Sequence, residues 1–169
     1  MGNSEIIIYL LPLVFMIHDF EEIIGFKAWF TKNGTWLQSK YPRFREQISH
    51  LETMSVPSFA LAVAEEFILI SIATIIYLLF EWPYAWLAFF TAFAFHIGIH
   101  IIQFIIIRKY IPVIITSILS ISYIIIGIDY IVHSFSFKEI VICFSIGLLV
   151  AITNLILVHK ITPKLDKLI

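Results

Sequence analysis

The sequence predicts an all-α membrane protein, a single bundle of five transmembrane helices. Three observations carry this. Of 169 residues, 60% are hydrophobic and only 14% charged, against about 25% charged in a soluble domain, and the mean hydropathy is +0.97. The apolar residues gather into runs of about 20, enough to cross about 30 Å of hydrocarbon. The basic residues, with one exception, fall on alternate connections between those runs. A net charge of −1 argues against nucleic acid as a partner. The single cysteine, Cys143, lies inside an apolar run, so neither a disulfide framework nor a thiolate metal site is expected.

The first predicted helix covers residues 5–30. No basic region precedes its apolar stretch, so it reads as a retained helix rather than a cleaved signal. Pro12 lies inside it and is expected to kink it. Residues 31–55 follow as a polar connection holding Lys32, Lys40, Arg43, Arg45, Glu46 and Glu52, read as a cytoplasmic loop with a short interfacial helix. Four further spans are predicted at 57–80, 84–107, 111–132 and 138–159. Pro57, Pro83 and Pro112 are placed in first helical turns, where a missing N–H does no harm. Trp29, Trp36, Trp82 and Trp86 sit near span ends, as an interfacial belt would. No repeat or linker divides residues 1–169, so one domain is expected.

Charge sets the orientation. Lys27, Lys32, Lys40, Arg43 and Arg45 lie on the first connection, Arg108 and Lys109 on the third, and Lys160, Lys164 and Lys167 after the last span. Only Lys138 lies on the other side. The positive-inside rule then puts the N-terminus outside and the C-terminus in the cytoplasm, in the cell (inner) membrane.

The first helix breaks the apolar pattern. His18-Asp19-Phe20-Glu21-Glu22 follows directly on the apolar run 6–17. An ionised group at the bilayer centre costs about 2.5–3.5 kcal/mol on insertion scales. Four titratable side chains in five positions therefore demand a function, or a place outside the membrane. Orientation favours a function: without this span, the 31–55 connection and the C-terminal lysines would face opposite sides.

On a 3.6-residue period His18, Glu21 and Glu22 share a face. Asp19 points away from it, toward a cap or solvent. His96, His100 and Gln103 form a stripe at i, i+4 and i+7. Glu65 shares a face with Ser58 and Ala62, and Glu66 lies about 100° round. Thr116, Ser117 and Asn154 add polar groups on the last two helices. Counted inward from the cytoplasmic ends at about 1.5 Å per residue, Glu22, His18, Glu65, His100, His96 and Asn154 all fall about 8–18 Å deep. One interior site would produce such a layer. A lone intramembrane His commonly just bonds nearby backbone, but the His96–His100 pair on one face points to a site. No Lys or Arg lies at this depth to pair with Glu65 and Glu66. His50, His133 and His159 fall at predicted interfaces and read as solvated.

The run His18-x-x-Glu21-Glu22 with Trp29 following, then Glu65-Glu66, then His96-x-x-x-His100-x-x-Gln103 leading into Arg108-Lys109-Tyr110-Ile111-Pro112, resembles the bacterial membrane proteins named for their HXXEE motif. The likeness covers roughly residues 10–125. That family usually has Gly after the Pro and a Thr close behind. Here Val113 replaces the Gly, while Thr116 keeps the Thr. The resemblance implies a topology and a motif, not a reaction.

Imidazole and carboxylate together suit Zn²⁺ or non-haem Fe. His18, Glu22, His96 and His100 are the expected ligands of one or two divalent transition-metal ions. Glu21, Glu65 and Glu66 are the candidate catalytic carboxylates. Zinc would activate water for hydrolysis, and a di-metal pair in a helix bundle would support an oxidoreductase. The apolar setting points to a lipid or other hydrophobic substrate. Clustered carboxylates also call for a compensating cation in a low dielectric. Two other classes use the same residues. A carboxyl beside a His can shuttle protons without metal, as in isomerases and cyclases. A small proton-coupled or metal transporter also needs intramembrane His and Glu, but five helices without a repeat suit a transporter fold poorly. A mere scaffold has no use for five acidic side chains in two spans.

Overall fold

In lipid every backbone polar group needs an internal partner, which leaves helices as the form for these apolar runs. The computed structural model describes the backbone of residues 3–165 and the side chains of residues 5–157. His159, Lys160, Lys164 and Lys167 lie outside the described side chains. Among the described residues the regular elements are all helical: α1 (Asn3–Lys40), a 3-10 turn (Pro42–Phe44), α2 (Arg45–Thr53), α3 (Val56–Phe80), α4 (Tyr84–Ile107), α5 (Ile114–Ser134) and α6 (Phe137–Leu165). Among the described residues four helices are long and apolar enough to cross a membrane: α3, α4, α5 and the Phe137–Leu157 part of α6, with mean hydropathies of 2.1, 2.0, 1.9 and 2.7. The chain is an all-α, multi-pass membrane protein. α1 is not among the four, because Asp19, Glu21 and Glu22 interrupt its apolar run.

The helix ends differ from the sequence expectation in three places. α1 does not end near residue 30 but continues to Lys40, so the expected 31–55 loop is largely helical. Nothing before Pro42 forces a break, and α2 folds back along the extension. Leu37 is buried there, and Gly34 leaves room for the Glu52 carboxylate, which stands 2.9 Å from where a Cβ would be. Lys27 Nζ donates to the carbonyls of Glu52 (2.6 Å) and Met54 (3.3 Å), a cation at the C-terminus of α2. Tyr41, non-helical at φ −126° and ψ 66°, ends α1, since a residue before proline is disfavoured in the helical region.

The second difference concerns the prolines. Pro57 does stand in the first turn of α3, whose N-cap Ser55 accepts from Ser58 N–H. Pro83 is instead the N-cap of α4. Pro112 stands outside α5, which starts at Ile114 rather than 111. The cause is Val113, at φ 124°, a left-handed conformation that no helix accepts. For a β-branched residue this costs on the order of 1–3 kcal/mol. Burial of Ile111, Val113 and Ile114 against Trp29 offsets it. The third difference is α6, which runs on to Leu165.

α4 is the central helix and packs against α1, α3, α5 and α6. Its Trp86, Leu87 and Phe90 are fully buried. Trp86 therefore belongs to the core, not to an interfacial belt. It stacks on Phe90 (4.9 Å) and meets Tyr130 edge-on (5.8 Å). Tyr123 on α5 donates to the Ile7 carbonyl of α1 at 2.9 Å. α6 lies so close to α4 that a Cβ at Gly147 would collide with the Ala88 carbonyl. Gly147→Val should therefore cost about 1–3 kcal/mol or more through overpacking. Gly98→Ala, with nothing within 4 Å of its added methyl, should be neutral or stabilising. Thermal unfolding of both variants in detergent checks the contrast.

Candidate metal centre

α1 passes between α3 and α5, with α4 also against it. That packing turns His18 toward the His stripe of α4. His18 is fully buried, His100 nearly so, and His96 half-buried. The ring centroids lie 5.5 Å apart for His18 and His96, 5.4 Å for His18 and His100, and 4.3 Å for His96 and His100. One nitrogen from each ring lies within 4.8 Å of the other two.

Hydrogen bonds decide which nitrogens carry protons. Thr116 has one hydroxyl hydrogen, and its shortest contact is to Glu21 Oε2 at 2.6 Å. Its oxygen is then left to accept from His18 Nδ1–H at 3.2 Å. With the ring proton on Nδ1, His18 Nε2 is a bare lone pair, buried and without a hydrogen-bond partner. Likewise Gln103 Oε1 accepts from His100 Nδ1–H at 3.0 Å. His100 Nε2 is thereby bare, and it faces His96 Nε2 at 2.9 Å. An oxygen acceptor behind each ring is how proteins orient metal-ligating His.

A second group adjoins the first. Asp19, Glu22 and His96 each offer a ligand atom within 4.8 Å of the others. Asp19 was expected to point away; it is only 4% exposed. The buried arc of α1 is wider than one stripe because both α3 and α5 pack on it, and Asp19 and Glu22 are i, i+3 neighbours within that arc. Glu66 on α3 interacts electrostatically with both and accepts from Asn154 Nδ2 at 3.4 Å.

Thus His18, Glu22, His96 and His100 come together, joined by Asp19. The three candidate catalytic carboxylates stand outside both groups. Glu66 borders the second group. Glu65 is half-buried, and its Oε2 has no hydrogen-bond partner. Glu21 turns to the start of α5, where it accepts from Thr116 N–H (2.8 Å), Ile115 N–H (3.4 Å), the Thr116 hydroxyl and the Tyr110 hydroxyl (2.9 Å). The first N–H groups of a helix have no partner within it, and a carboxylate suits that positive end. The roles of Thr116 and Gln103 were not legible in advance, although Gln103 at i+3 from His100 was a signal. Two hollows lie between other helix pairs: about 440 Å³ between α4 and α6, lined by Trp82, Tyr84 and Cys143, and about 330 Å³ between α3 and α6, lined by Leu69, Leu149 and Asn154, the residue that bonds Glu66.

Thr116→Val keeps the shape but removes both the donor to Glu21 and the acceptor for His18. It should destabilise the protein by about 1–3 kcal/mol, while Thr116→Ser should retain most of the stability. Thermal unfolding in detergent measures both.

Comparison with known proteins agrees with the motif. No curated protein and no solved structure gives a significant match. A family described as proteins of unknown function with an HXXEE motif matches residues 9–128, well over half of the chain and a stretch that includes every residue of both His/Asp/Glu groups. The protein belongs to the HXXEE-motif family.

Proposed function

We propose that the protein is a metal-dependent membrane enzyme that hydrolyses a lipid or other hydrophobic substrate. One transition-metal ion, zinc or iron, is held by His18, His96 and His100. The observation that carries this reading is the set of three ring nitrogens within 4.8 Å, two of them left bare by Thr116 and Gln103. Three His ligands leave a coordination position for water, as catalytic zinc sites do. The ion would lower the pKa of that water. Glu66, oriented by Asn154 and not itself in either ligand group, is the proposed proton acceptor. With such a water supplied, Glu66 would take its proton and return it to the leaving alkoxide as the substrate's acyl–oxygen bond is cleaved.

In this reading α1 is a fifth span. Its exposed Leu13, Ile17, Phe20 and Ile24 recur at i, i+4, i+7 and i+11, a lipid-facing stripe on the side away from His18. The N-terminus is outside and the C-terminus cytoplasmic, in the cell membrane, because ten of the eleven basic residues then face the cytoplasm. The apolar outer surface at the depth of the cluster supports a substrate that arrives from the bilayer.

Protein purified without chelators should carry at least one equivalent of transition metal by elemental analysis. His100→Ala should lose an equivalent, and His96→Ala should lose all of it, with membrane insertion intact. Well under one equivalent in the wild type would replace this reading with metal-free proton transfer. For topology, a reporter fused after Ile169 should be active in the cytoplasm. Activity confined to the outside would sink the five-span arrangement.

A further inference from the structure

We propose that a second divalent cation binds between Asp19, Glu22 and His96, making the centre dinuclear. The proposal rests on the first ion at the three His side chains and extends that site. Three observations carry it. The donor atoms of Asp19, Glu22 and His96 converge within 4.8 Å. Asp19 is only 4% exposed, yet its Oδ2 has no hydrogen-bond partner. A buried carboxylate oxygen is retained when it is paired or ligates a metal. Finally, Glu66 adds a third carboxylate beside this pair. Among the described residues, neither Lys nor Arg forms an ion pair with any of the three; the one ion pair joins His133 and Asp129 on the surface. Among the described residues the three acidic groups thus have no Lys or Arg partner, and a bound cation would supply positive charge there.

His96 belongs to both groups. Its Nε2 faces His100, so to serve both positions it would offer Nδ1 to the carboxylate side. On filling both positions the ring bridges the ions as imidazolate, and its proton is released to solvent, as metal binding to His requires. The two positions differ in chemistry. Three nitrogens favour zinc or iron, whereas two carboxylates and one nitrogen also accept manganese.

The test is metal stoichiometry after loading with Zn²⁺ and desalting, on wild type, Asp19→Asn and His100→Ala. Wild type should hold two equivalents and each variant one. One equivalent in wild type and in Asp19→Asn, with none in His100→Ala, overturns the second position and leaves the first standing. Two equivalents retained by Asp19→Asn also overturns it. No metal in wild type overturns both. Should Asp19→Asn fail to fold, Glu22→Gln is loaded with Zn²⁺ in its place. One equivalent supports the second position, and two equivalents reject it.

Discussion

One carboxylate ties the N-terminus of α5 to α1 and, through a threonine, sets the ring of His18. Glu21 accepts from two backbone N–H groups, the Thr116 hydroxyl and the Tyr110 hydroxyl. The first N–H groups of a helix have no partner within it, and the Glu21 carboxylate supplies one at the start of α5, just after the turn at Val113. Trp29 donates to the Tyr110 carbonyl at 2.6 Å and covers the buried Ile111, Val113 and Ile114. Gly25 lets α1 approach this turn: a Cβ there would stand 2.6 Å from Pro112 Cβ. The strain at Val113 is held in place by contacts on all sides.

The same clamp explains why two adjacent glutamates behave differently. Glu21 and Glu22 sit about 100° apart around α1. Glu21 therefore meets α5, while Glu22 turns with Asp19 and His18 toward α4 and α3. Glu21 clamps α5 and, through Thr116, orients His18, while His18 and Glu22 join the buried His/Asp/Glu groups. Gln103 plays on His100 the part that Thr116 plays on His18. Both hold Nδ1 and leave Nε2 free to face the cluster, Gln103 from the next turn of α4 and Thr116 from α5 across to α1. Their cost is small, because each polar group is satisfied locally, whereas the Nε2 of His18 and the Oδ2 of Asp19 are left for something else.

Much of this architecture is legible in composition and period. Run length predicts the 57–80 and 84–107 helices to within a residue of α3 and α4, because in hydrocarbon an apolar run of that length has one stable backbone form. The i, i+4 spacing of His96 and His100 places them on one face whatever surrounds them. Shared depth along the helix axes brings His18 level with that pair, since rise per residue is nearly constant.

What surrounds each helix is another matter. Period says which residues share a face, but not how wide an arc neighbouring helices will cover. Asp19 is buried because α3 and α5 both pack on α1, a fact absent from the spacing of residues 18–22. Trp86 lies in the core because α4 is central, though its position near a span end suggests the interface. α1 continues past residue 30 because α2 folds back on it through Lys27, Leu37 and Glu52. Helix identity and register follow from local geometry, whereas azimuth, burial and the choice between a carboxylate that clamps a helix start and one that joins the buried cluster follow from packing between segments far apart in the chain.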